Sequence, residues 1–64
     1  MDSILIMAEG ILSIRAGLNW ANELIGNPVP GYESFYAECI EQFQIIMDSE
    51  GYYTIVVLVS VRNT

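Results

Sequence analysis

The sequence predicts a small α+β protein: a long N-terminal helix, a Pro-Gly loop, a second amphipathic helix, and a C-terminal strand that pairs across a homo-oligomer. Three observations lead there. Ile4, Ile11, Leu18 and Ile25 recur every seven residues, the spacing of a helical seam. From Tyr32 to Asp48 apolar residues fall at i, i+3, i+4 and i+7, which is one stripe of a helix. Thr54, Ile55, Val56, Val57, Val59 and Val61 crowd β-branched side chains into the last segment, and these favour a strand.

In the first element, Met7, Ile14 and Ala21 fill the second position of the heptad. Leu5, Ile6 and Leu12 add apolar surface off the seam, so a helix over 3–25 would be buried within an assembly. Ser3, Gly10 and Gly17, also seven apart, form a stripe of small residues. Interior glycines cost a helix about 1 kcal/mol each, and they support a rival division. In it, Ser3–Met7 and Ile11–Arg15 form a hairpin around Gly10, and a short helix covers about Asn19 to Ile25. The C-terminal strand then has partners in its own chain, giving a three-stranded sheet.

Gly26-Asn-Pro-Val-Pro-Gly31 ends the first element, because Pro28 and Pro30 lack amide donors and hold their predecessors extended. Beyond it, Tyr32, Phe35, Tyr36, Cys39, Ile40, Phe43, Ile46 and Met47 make the stripe of the second helix. Glu33, Ser34, Ala37, Glu38, Glu41, Gln44 and Asp48 take the other side. Glu33 suits the positive end of the helix dipole, and Gly51 suits a C-terminal cap. In the last segment, Tyr53, Ile55, Val57, Val59 and Val61 share one face, and Thr54, Val56, Leu58, Ser60 and Arg62 share the other. A strand apolar on both sides is central or covered twice.

Sixty-four residues, 53% of them hydrophobic, make one small domain. A chain this short buries only about 60% of its unfolded surface, so that much apolar content points to self-association. The expected interface is the strand face Ile55, Val57, Val59 and Val61, with Ile4 and Ile11 of the seam, in a homodimer or higher oligomer. Eight acids oppose two arginines, without lysine or histidine, for a net charge of −6. Arg15 and Arg62 cannot build a phosphate-binding patch, which argues against direct nucleic-acid binding. The acidity suits a basic protein surface or simple solubility.

Cys39 is the one cysteine, so an intrachain disulfide and a four-ligand Cys/His zinc site are both excluded. The absence of disulfides, of a basic N-terminal flank and of a long apolar run predicts a cytoplasmic protein that does not attach to membranes. For a viral protein that means the host cytoplasm. Catalysis needs an acid, base or nucleophile held in a pocket, and no such set is visible. Cys39 reads as a small buried hydrophobe on the helix stripe. Asp48-Ser-Glu-Gly51 lacks the remaining ligands of a calcium loop. No enzyme activity, cofactor or metal is expected.

What remains is binding. On the second helix Glu38, Glu41 and Asp48 ring Ile45, an apolar anchor among acids, which is an arrangement suited to a basic partner surface. Trp20 reads as core packing, and Arg15 as one side of a surface ion pair with Glu38 or Glu41. The leading functional expectation is a non-enzymatic protein that occupies another macromolecule, such as a phage or mobile-element inhibitor acting against host defence. That expectation rests on analogy of size and charge. The alternative is a structural subunit whose oligomer is its function.

Overall fold

The structure is a computed structural model and describes residues 2–63. Among these residues five elements follow one another: β1 Asp2–Ile11, α1 Ile14–Leu24, β2 Pro28–Val29, β3 Tyr32–Met47 and β4 Tyr53–Asn63. The strands form a single antiparallel sheet in the order β1-β4-β3-β2. The C-terminal strand is therefore central. Its run of β-branched residues takes ladder partners on both sides from its own chain, with Val57 opposite Ile6 on one side and Phe43 on the other. This corrects the expectation that the strand pairs across a homo-oligomer.

Alternation along β4 decides the layers, since successive side chains point to opposite faces. Ile55, Val57 and Val59 are fully buried and Val61 nearly so. With Ala21, Val29 and Ala37 they form the core, and Ile4, Ile6, Ile11, Ile40, Phe43 and Ile45 pack around it. The residues expected at an oligomer interface, Ile55, Val57, Val59, Val61, Ile4 and Ile11, are thus the chain's own interior and its margin. One helix provides the cover. α1 turns Gly17, Ala21 and Leu24 to the sheet, and a Cβ at Gly17 would stand 2.6 Å from Ile55 Cδ1. Small residues at 17 and 21 allow this close approach. Trp20 is half-buried against the same core.

The long N-terminal helix is replaced by a strand and an eleven-residue helix. The ordering of local signals explains the break. Ser13 sits in extended geometry and its Oγ accepts from the Ala16 amide at 3.1 Å, an N-cap that starts a helix at Ile14. Gly10, with φ of 70°, is not the hairpin turn of the rival division. It lies in a bulge between the Ala8–Ile55 and Ile11–Tyr53 pairs, a conformation glycine adopts without strain. At the other end the Pro loop does end the helix. The Gly26 amide donates to the Ala37 carbonyl at 2.8 Å, and the Ala37 amide donates to the Asn27 carbonyl at 3.1 Å. The loop is thereby stitched to β3.

The second amphipathic helix is overturned as well: residues 32–47 are the long strand β3. Two irregularities in its pairing with β4 leave Glu38 and Glu41 without opposite residues, between Ala37 and Cys39 and between Ile40 and Gln42. Each bulge adds one residue, so the core-facing positions run Phe35, Ala37, Ile40, Phe43, Ile45. Their spacing of two, three, three and two breaks the strict alternation of a strand and hides its period in the sequence. Bulges also bend a strand. Sixteen residues at about 3.3 Å each would reach about 50 Å if straight, yet the longest dimension of the chain is 38 Å.

Asp48 to Tyr52 closes the β3–β4 hairpin. Asp48 Oδ1 accepts from the Glu50 amide at 2.8 Å and the Tyr52 amide at 3.0 Å. Gly51 takes φ of 90°. The expected helix cap at Gly51 is instead the left-handed residue of this turn.

Candidate functional site

Covering one face of the sheet leaves the other bare. Residues opposite one another on antiparallel strands share a face, so the register assembles the uncovered side directly. Ser3, Leu5 and Met7 of β1 lie beside Ser60, Leu58 and Val56 of β4. Tyr36, Cys39, Gln42, Gln44 and Ile46 of β3 lie beside Arg62, Ser60, Leu58, Val56 and Thr54. No helix or loop among the described residues lies over them, and the side chains show it. Leu5 is 64% exposed, Met7 57% and Ile46 46%. Between Leu5 on one side and Gln42 and Gln44 on the other runs a shallow groove of about 370 Å³, floored by Val56 and Leu58.

Polar groups gather at one end of this face. Glu38 Oε2 accepts from Arg62 Nη2 at 3.2 Å, across adjacent strands. The pair is open to water, so it orients the side chains without adding much stability. Glu41 reaches over the central strand to accept a hydrogen bond from the Ser3 hydroxyl on β1. Between them, Cys39 Sγ and Ser60 Oγ are 2.8 Å apart, and the Ser60 hydroxyl also lies within reach of the Cys39 carbonyl at 3.5 Å. Ser60 is buried at the first bulge, where its hydroxyl supplies a contact that the interrupted ladder lacks. The face thus grades from an acidic, hydroxyl-rich end to a groove of mixed aliphatic and amide lining.

The four residues expected to form one partner surface do not stay together. Glu38 and Glu41 project from the two bulges onto the open face. Ile45 pairs with Ile55 and packs against the core under α1, so it cannot be their apolar anchor. Asp48 is spent on the hairpin turn. The ion pair of Glu38 is formed by Arg62 and not by Arg15, since the two-helix hairpin that would bring Arg15 close does not exist. Cys39 is exposed on the open face and not buried on a helix stripe.

Leu5, Met7, Leu58 and the groove were not singled out by the sequence. Its usable signal was the alternation of Ile4, Ile6 and Ala8 with Leu5 and Met7, which is a strand apolar on both faces. Among the described residues no three His, Cys, Asp or Glu side chains come together in a way that could hold a metal ion. No helix among the described residues is long and apolar enough to cross a membrane. Comparison with protein-family models, with curated proteins and with solved structures finds no match.

Proposed function

We propose that the chain is a non-enzymatic binding protein whose open sheet face docks onto a basic, partly apolar surface of another protein. The observation that carries this reading is the pairing of an uncovered groove, lined by Leu5, Val56 and Leu58 with Gln42 and Gln44, with two carboxylates, Glu38 and Glu41, on the same face. An exposed apolar patch bordered by polar groups is a usual mark of an interaction site. The chemistry of the occupant follows from the charge. The whole chain carries −6, and the acids beside the groove would steer a cationic surface toward it while an apolar side chain enters the groove. Among actions open to a small acidic binder, inhibition of a host protein by a phage or mobile element is suggested by analogy of size and charge.

The test is to capture the partner from cells with the tagged parent chain, purify it, and measure affinity as salt is raised. The parent should lose affinity steeply with ionic strength. Glu38→Lys/Glu41→Lys should fold normally, bind at least about tenfold more weakly at low salt, and show a flatter salt dependence. Equal affinity of parent and variant at low salt would refute the reading.

A further inference from the structure

The two edges of the sheet are not alike. At one edge β3 is shielded over Tyr32–Tyr36 by β2, which contains Pro28. Further along, the bulges at Glu38 and Glu41 bend β3 and put acids on it. These are the devices that keep an edge from recruiting another strand. At the other edge β1 pairs with β4 on one side, and no described strand lies on its other side. From Asp2 to Ala8 its register is unbroken, and Ser3-Ile-Leu-Ile-Met-Ala8 contains no charge, proline or glycine. The bulge comes only afterwards, at Glu9 and Gly10.

We propose that this bare edge pairs with a second copy of the chain, β1 against β1 antiparallel about a two-fold axis, to make one continuous eight-stranded sheet. The segment is self-complementary, as an isologous contact must be. Opposite residues must share a face, which allows two central registers. One sets Leu5 opposite Leu5 of the second copy, Ile4 opposite Ile6 and Ser3 opposite Met7. The other sets Ile6 opposite Ile6 and Leu5 opposite Met7. In both, Asp2 of one copy falls one ladder step from Glu9 of the other, so the acids are never directly opposite but lie close enough to weaken the pairing. Face-to-face stacking of two open sheets is the rival arrangement, and it would press the Glu38 and Glu41 carboxylates of two chains of charge −6 together. Edge pairing instead joins the open apolar faces side by side, leaving both free.

The contact is small. Seven residues at about 3.3 Å give a seam about 23 Å long, which at a sheet thickness of about 10 Å is about 230 Å², well short of the roughly 800 Å² per partner of a standard interface. The association is therefore weak and concentration-dependent, and it does not depend on the docking reading above. Light scattering over a dilution series from millimolar to micromolar protein should show the mass fall from twice 7.2 kDa toward 7.2 kDa. In the concentrated sample, hydrogen exchange should protect successive amides of residues 3–8. In the dilute one, alternate amides should exchange freely. Leu5→Lys, at an exposed position of the edge strand, should keep the fold and abolish the heavier species. Ile46→Lys, exposed on the same face but at the far strand, should leave it intact. A mass of 7.2 kDa at every concentration would overturn the proposal. So would loss of the dimer on Ile46→Lys with retention on Leu5→Lys, which indicates stacked faces.

Discussion

Gly17 is where the helix meets the sheet, and replacing it tests the packing of the fold directly. In Gly17→Ala the new Cβ would lie 2.6 Å from Ile55 Cδ1 and 3.1 Å from Ile55 Cγ1. Real Cβ atoms do not approach carbon so closely, so α1 or Ile55 must move. Ile55 is fully buried and has close-packed neighbours, which leaves its side chain little room to swing away. Overpacking of this kind costs about 1–3 kcal/mol. The same substitution returns about 1 kcal/mol through helix propensity. The net expectation is destabilisation by about 1 kcal/mol, or roughly 4–8 °C in Tm for a domain of this size. Ile55→Val removes the Cδ1 atom and alone costs about 0.5–1.5 kcal/mol. In that background Gly17→Ala should be neutral or stabilising, because only the Cγ1 contact and the propensity gain remain. Urea denaturation of the four proteins gives the coupling energy, expected at about 1–2 kcal/mol. Stabilisation by Gly17→Ala in the parent, or additivity within about 0.3 kcal/mol, would refute the close helix–sheet contact.

Substitutions at three further positions probe other contacts of the fold. Ser13→Ala removes the acceptor of the Ala16 amide and should cost about 1 kcal/mol by urea denaturation, with Ser13→Asp restoring it. Asp48→Ala frees the Glu50 and Tyr52 amides and should lower stability by about 1 kcal/mol, while Asp48→Asn retains most of it; equal losses in both would show that the turn does not depend on the acceptor. Val57→Asp places a carboxylate at a fully buried site between Ile6 and Phe43, a cost of several kcal/mol that approaches the stability of a small domain. Its circular dichroism should be that of an unfolded chain, and a native spectrum would mean the helix-covered face is not the core.

Which elements could be read from the sequence depended on whether their periodicity was interrupted. β4 is regular from Tyr53 to Asn63, so its strand character followed from its β-branched content and the membership of its two faces from alternation. The Pro loop was equally plain, since proline acts locally. β1 and β3 both contain bulges, and each misled in the same way. In an unbroken strand, residues seven apart point to opposite faces. The irregularity at Glu9 and Gly10 changes the parity, so Ile4 and Ile11 both pack against the core and their separation imitates a heptad. Amino-acid preference carried the opposing signal. Residues 32–47 contain Tyr32, Phe35, Tyr36, Ile40, Phe43, Ile45 and Ile46, with no leucine, lysine or arginine. Those aromatic and β-branched types belong on a pleated surface, and the five residues Asp48–Tyr52, with Gly51, fit a hairpin loop as well as a helix end.

The same irregularities explain why two of the four expected site residues, Glu38 and Glu41, still share a face. Glu38 and Glu41 are three apart, which puts them on one side of a helix. They are also the two unpaired residues of a doubly bulged strand, and there too they reach the same face. Ile45 distinguishes the cases. Four residues beyond Glu41, it would share that side of a helix. In β3 the strand resumes strict alternation after Gln42, and Ile45 pairs with Ile55 on the helix-covered side. Its place as an apolar neighbour of the acids passes to residues distant in sequence. Leu5 comes from β1, and Val56 and Leu58 come from β4. No single-segment pattern could have joined them, because the groove exists only once β4 lies between β1 and β3.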